Sequence, residues 1–422
     1  MKNGFSKTTL INGMRVISEK IPSVRSVSIG VWIHVGSRNE SENINGISHF
    51  IEHMHFKGTK KRSALQIAHE LESRGGAINA FTSREHTCYY ARIMSDHFPK
   101  AMEILGDILN NSTFTQGNIK KEKAVILEEI KDVADSPSDY IHDLFTNQMW
   151  MSHPLGKPIM GDAKTVGCIS RKLISDFLKE NYCASNLVVA AAGDISHRKL
   201  VDYVKKYFKW NKSHAKAKLS IPKKSEFTLH AHHNGTKQTH VSLGFPSISF
   251  ANSSRYAILA ANTLLSGGMS SRLFQNVREK KGYCYSIYSF QEFFQDIGIF
   301  SIYFGTDEKY MVDAANLVLK ELKRLKKKKL GRTELSQIKD QLKGNLMLSL
   351  ESTTNRMNRI ARQELMLGQY VDLDETSRNI DRITANHIFD VANEIFDCNK
   401  LTMVALGPVK KDLLEKINWS LL

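Results

Sequence analysis

The 422-residue chain has only five cysteines, at positions 88, 168, 183, 284 and 398, with no C-x-x-C pair among them. That scatter excludes a disulfide framework and a cysteine-built zinc cluster, and it suits a reducing compartment. No stretch approaches the roughly 18 consecutive apolar residues that a membrane-spanning helix requires, and the opening Met1–Met14 segment lacks the continuous apolar run of a secretory signal. Neither a membrane span nor secretion is expected. P-loop, zinc-finger and RNP-like motifs are also missing. With 41% apolar residues and 25 glycines, the composition leaves out disordered and collagen-like classes. A chain of this length corresponds to two to three domains and needs no metal simply to stay folded, so any metal here serves chemistry.

What is present in excess is positive charge: 59 Lys and Arg against 43 Asp and Glu, a formal +16. Such a balance invites a nucleic-acid partner. Much of it sits in runs such as Lys323–Arg332, at the end of a helical pattern, where cations suit the helix dipole. Without a recognition motif, no specific nucleic-acid partner is expected.

Two pairs of segments half a chain apart read as copies. Asn186–Ile195 and Lys400–Val409 are both apolar runs closed by glycine (Gly193 and Gly407) and followed by a helical pattern. Cys88–Ile93 before the helical 101–109, and Gly298–Phe304 before the helical 311–319, form the second pair. The economical reading is a duplicated unit with strands and helices in each half. Its expected division is 1–211, a polar linker over 212–228, and 229–422.

The segment Gly46–Phe56 carries two helical patterns at once. Ile47, Phe50, Ile51 and Met54 form one apolar stripe, while His49, Glu52, His53 and Phe56 share the opposite face. Two imidazoles one turn apart can chelate one metal ion, and a glutamate between them can reach the water on it. This H-x-x-E-H order is a known metallopeptidase signature. His55, two residues beyond His53, points off that face and is expected to be partly exposed. A catalytic zinc needs a third protein ligand. The helical pattern over 119–133 offers one: with Glu122 as origin, Val125, Ile126, Ile130 and Val133 spread over one packed arc, and Glu129 falls about 20° from Glu122 within it. Carboxylates on an apolar arc are costly unless paired or metal-bound, so Glu122 and Glu129 read as functional. Glu128 falls on the far side with Lys131 and Asp132 and reads as solvated.

His49–Thr59, with Glu122 and Glu129 following at this spacing, resembles the pitrilysin–insulinase (inverzincin) zinc metallopeptidases, and most closely their processing-peptidase branch. The likeness extends through Leu10–Val16, Gly75–Thr82, Thr87–Tyr89, Pro154–Gly156 and Gly267–Phe274. It implies an α+β fold of two homologous halves, each a mostly antiparallel sheet packed with helices. It implies one zinc ion per chain on His49, His53 and Glu129, Glu52 as general base and Glu122 as an auxiliary carboxylate. It implies a substrate-holding Arg278 and Tyr285 from the second half, with Tyr283 as the alternative tyrosine. It also implies an edge strand at Asn79 and Ala80 onto which a peptide adds.

The function implied is a zinc-dependent endopeptidase acting on peptides or presequence-like segments, the alternative being a non-catalytic core subunit of the same fold. The seven acidic residues between Glu122 and Asp143, against two lysines, are compatible with a basic substrate. The resemblance implies a homodimer, or a heterodimer with an inactive homologous subunit. It implies a cytoplasmic bacterial protein, or a mitochondrial matrix protein if the chain is an organellar mature form.

Overall fold

The computed structural model describes residues 4–210, 220–223 and 226–422. Two compact units form, each drawn from three segments. Met1–Lys131, Lys157–Ser220 and Ser349–Asp372 make the first; Asp132–Gly156, Ile221–Leu348 and Leu373–Leu422 make the second.

In the first unit the strands are β1 (Phe5–Thr9), β2 (Arg15–Lys20), β3 (Ser26–Ile33), β4 (Ala77–Thr82), β5 (Thr87–Met94) and β6 (Leu187–Gly193). They form one sheet in the order β1-β2-β6-β3-β5-β4, with β2 and β6 parallel and every other pair antiparallel. The second unit holds β7 (Thr228–His233), β8 (Thr239–Ser247), β9 (Cys284–Phe293), β10 (Gly298–Thr306) and β11 (Thr402–Gly407). Their order is β7-β11-β8-β10-β9, again with a single parallel pair, β7 and β11. With β1 set aside, the two orders coincide strand for strand. The α+β architecture of two homologous, mostly antiparallel halves is the one expected, and β6 with β11, and β5 with β10, are the paired copies legible in the sequence.

The repeated apolar runs have a packing cause. Every residue of β6 is buried, because both faces of the sheet are covered. Leu187, Val189 and Ala191 join the main core with Ile47, Phe50 and Ile104. Val188, Ala190 and Ala192 pack with Ile17, Trp32 and the helix Thr353–Leu367, through its Met357, Ile360, Ala361 and Leu365. In the second unit the helix Pro137–Met149 has the corresponding place: Ile141, Phe145 and Met149 cluster with Tyr303, Val404 and Leu406.

These two helices explain why compactness divides the chain differently from a single boundary near 211–229. Residues 132–156 precede that boundary yet belong to the second unit, and 349–372 follow it yet belong to the first. Residues 137–149 thus pack on the second unit's sheet and residues 353–367 on the first unit's. Most of the expected 212–228 linker lies outside the described residues.

Gly193 and Gly407 close the paired central strands with φ of +131° and +140°, and a β-carbon there would lie 2.2 Å from the Ser26 carbonyl oxygen or 2.5 Å from that of Gln238. Left-handed strain and overpacking act together at these positions. Gly193→Ala and Gly407→Ala are each expected to lower unfolding free energy by about 2–4 kcal/mol, read from urea midpoints. An unchanged midpoint in either would contradict the close approach.

Candidate metal centre

The helix Ile47–His55 realises both sequence patterns. Ile47, Phe50, Ile51 and Met54 are all buried against the first unit's sheet, and this stripe turns the opposite face outward with His49, Glu52 and His53. The ring centroids of His49 and His53 lie 4.5 Å apart. A second helix, Gln116–Ala134, buries Ile119, Glu122 and Ile126 and carries Glu129 one turn further along. The expected arc is narrower than the wheel suggests: Val125 is exposed, because only the centre of the arc meets the core. Glu128 is solvated as expected and pairs with Lys131 at 2.7 Å.

His49, His53 and Glu129 each present one ligand atom, and these atoms all lie within 4.8 Å of one another. Among the described residues no other trio of His, Cys, Asp or Glu does so. Two imidazole nitrogens and one carboxylate oxygen are a donor set that suits zinc and leaves a position open. Two further observations fit an ion there. His49 Nδ1 is buried with no hydrogen-bond partner. Burial, then the neighbouring His53, pushes the His49 pKa down to about 4, which keeps its ring in the neutral, ligand-competent form.

His53 is held from behind. Its Nδ1–H donates to Glu122 Oε1 at 2.9 Å, leaving Nε2, 3.7 Å from Glu129 Oε2, as the free nitrogen. A carboxylate on the remote imidazole nitrogen fixes tautomer and ring orientation and raises the ligand's basicity. Burial opposes charge on His53, but the hydrogen bond to Glu122 and the fields of Glu129, Glu122 and Glu52 outweigh it and raise its pKa. Such a cluster favours a cation. Burial also opposes ionisation of Glu122, yet the hydrogen bonds of His53 and of Lys57, whose Nζ lies 2.9 Å from Oε2, hold its carboxyl below the usual range.

Glu52 is in a different state. Burial raises its pKa, and the hydrogen bond from Thr82 Oγ1 at 2.5 Å, followed by the field of His53, only partly counters this. Thr82 ends β4, the edge strand, on which Asn79 is exposed and Ala80 half-buried. Sequence reasoning missed Thr82 and Lys57, since neither spacing nor periodicity ties them to the helix face. It also misjudged His55. That side chain is fully buried, with Nδ1–H donating to the Ile108 carbonyl at 2.8 Å and its ring edge-on to Tyr89. It does point off the metal face; the helix Phe98–Asn111, which carries Ile108, covers it.

In the second unit, Arg278 lies on a π-helical turn, Phe274–Glu279, a rare geometry that recurs at functional sites. Its guanidinium carbon stands 4.6 Å over the Phe274 ring and 4.9 Å over that of Tyr285. Tyr285 is 76% exposed. Tyr283 instead stacks on Tyr310 with centroids 5.0 Å apart.

Known proteins resemble this chain along most of its length. Residues 15–163 match the family described as insulinase (peptidase family M16), and residues 169–342 match the peptidase M16 inactive domain. YmxG of Bacillus subtilis (strain 168), described as an uncharacterized zinc protease, is 40% identical over 93% of this chain and 96% of its own length. The chain belongs to the insulinase (M16) peptidase family. SCO5738 of Streptomyces coelicolor, also described as an uncharacterized zinc protease, is 38% identical over 98% of this chain and 91% of its own length. The crystal structure of a protease from Helicobacter pylori superposes with a TM-score of 0.88 at 25% identity, covering 96% of this chain and 99% of that one. The zinc expected for an insulinase-family chain accords with the donor set found here. No helix among the described residues is long and apolar enough to cross a membrane.

The opposed influences on Glu52 can be separated. In metal-free protein, a carboxyl-resolved NMR titration is expected to place Glu52 above the ordinary glutamate range. Thr82→Val removes the hydrogen bond to its ionised form and should raise it further. A pKa unmoved by Thr82→Val would show that this bond does not tune the carboxyl.

Proposed function

We propose that this chain is a zinc-dependent endopeptidase in which His49, His53 and Glu129 hold one ion and Glu52 is the general base. The observation that carries the reading is the convergence of those three donors, with the partly desolvated Glu52 on the same face of the 47–55 helix as His49 and His53. Zinc held there supplies Lewis acidity toward a carbonyl and toward water. Glu52 takes the proton of the attacking water and returns it to the leaving amine. Its raised proton affinity suits both steps near neutral pH. Glu122 acts through His53 as a positioning residue, with Lys57 keeping it ionised.

β4 ends its sheet, so an extended peptide can add alongside Asn79 and Ala80 by main-chain hydrogen bonds. Arg278 and Tyr285 are assigned to hold the substrate backbone or the developing oxyanion. The exposure of Tyr285 and its contact with Arg278 favour it over the stacked Tyr283. The acidic residues between Glu122 and Asp143 support basic, presequence-like peptides as the substrate class and the processing-peptidase branch as the nearest functional parallel. A chain carrying both the donor set and Arg278 with Tyr285 is self-sufficient as a homodimer, while the fold also admits an inactive homologous partner. A non-catalytic core subunit would have no use for a complete donor set.

Glu52→Gln is expected to retain one zinc per chain and lose hydrolysis of a quenched basic peptide by about 10²–10⁴-fold. Undiminished turnover at stoichiometric zinc would sink the assignment. Tyr285→Phe is expected to lower kcat/KM by about 10²-fold, whereas Tyr283→Phe should stay near wild type; the opposite ranking in the same assay would move the substrate contact to Tyr283.

A further inference from the structure

We propose that Glu40 is a positioning residue for the metal-bearing helix: its buried carboxylate replaces the missing capping side chain, fixes the first turn, and thereby aims His49 and Glu52. The proposal rests on the zinc-peptidase reading and deepens it.

The 47–55 helix begins at Gly46, which has no side chain to cap the free N–H groups of the first turn. Nothing larger fits. Gly46 has φ +93°, and a β-carbon there would lie 2.4 Å from the Met160 carbonyl oxygen. Serine, threonine, aspartate and asparagine, the usual capping residues, are therefore barred from the position. Capping has to come from elsewhere in the chain, and Glu40 supplies it. Its Oε2 accepts from Gly46 N–H at 2.7 Å and from the Asn45 amide at 3.0 Å, while Oε1 accepts from Ser48 N–H at 2.8 Å. Asn45 also donates to the Pro158 carbonyl at 3.1 Å, tying the same junction to the loop that carries Met160.

Glu40 is only 5% exposed, and all these partners are neutral. Its negative charge is balanced by the helix N-terminus instead of by a cation. Burial raises its pKa to about 7, against the hydrogen bonds from Ser48, Gly46 and Asn45. Ser48, whose N–H one carboxylate oxygen grips, immediately precedes His49. A metal site tolerates only about half an ångström of error, so a shift of this turn reaches the ligand directly.

The test uses full-length wild type, Glu40→Gln, Glu40→Ala and Glu364→Gln. The last alters an equally buried acid that pairs with Lys7 and Arg15 on the opposite sheet face. Zinc affinity is measured on metal-free protein by competition with a chromophoric chelator, alongside urea midpoints and steady-state kinetics at saturating zinc. Glu40→Gln is expected to fold, to bind zinc about 10–100-fold more weakly, and to lose kcat with little change in KM. Glu40→Ala, if folded, should lose more. Glu364→Gln should lose stability and keep wild-type zinc affinity. Glu40→Gln with wild-type zinc affinity and kcat would overturn the proposal alone. A wild type that neither binds zinc nor cleaves peptide would overturn the zinc-peptidase reading, and this proposal with it.

Discussion

The hydrogen bond between His53 Nδ1 and Glu122 is the constraint on which the site depends. It joins two helices, and each can offer its half of the bond only because its other residues are fixed in the core. Glu122 sits between Ile119 and Ile126 on the buried arc, where an unpaired carboxylate would cost several kcal/mol. His53 and Lys57 remove that penalty, and the same carboxylate orients His53 toward Glu129. Packing and chemistry are thus satisfied by one arrangement. A helix rotated by one residue would expose Ile126 and release His53 together.

Proton affinities around the centre diverge for identifiable reasons. Glu122 and Glu52 are both carboxyls beside the same imidazole, yet one is held ionised and the other is pushed toward its protonated form. The difference is the number of donors. Glu122 accepts from His53 and from a lysine, whereas Glu52 accepts from a single hydroxyl and is otherwise desolvated. The same contrast separates His49, neutral through burial, from His53, which carboxylates surround. Environment alone gives groups of one type the different proton affinities that the proposed ligand, orienting and proton-transferring roles require.

Much of this was legible in the sequence because it follows from periodicity. The stripe Ile47, Phe50, Ile51 and Met54, the opposed His49, Glu52 and His53, and the separation of Glu122 from Glu128 all come from helical phase. The duplication was legible in β6 and β11, since strands buried on both faces must be apolar throughout. What escaped has a common cause. The burial of His55, the exposure of Val125 and the hydrogen bond of Thr82 depend on which element covers which face, a tertiary fact. The placement of Pro137–Met149 in the second unit and Thr353–Leu367 in the first escaped similarly: an amphipathic helix records that it packs, but not on which sheet. Glu40 escaped because two of its three donors, Gly46 and Ser48, are backbone N–H groups, which leave no residue-type signature.

The second half shows what the fold does without the chemistry. Between β8 and β9, where the first half has the helix of His49 and His53 between β3 and β4, stands the helix Arg255–Ser266, with no histidine or acid and with Ala257, Ile258, Ala260, Ala261 and Leu265 buried. The helix Arg332–Ser349 follows in the place of Gln116–Ala134, and its Glu334 binds Arg272 through both oxygens at 2.8 Å. An acid on this helix therefore anchors the glycine-rich segment leading into Arg278, whereas Glu122 on its counterpart anchors His53. The scaffold is the same; only the group held has changed. Function in this chain lies in what is grafted onto each copy of the unit, and the duplicated sheet supplies rigidity to both.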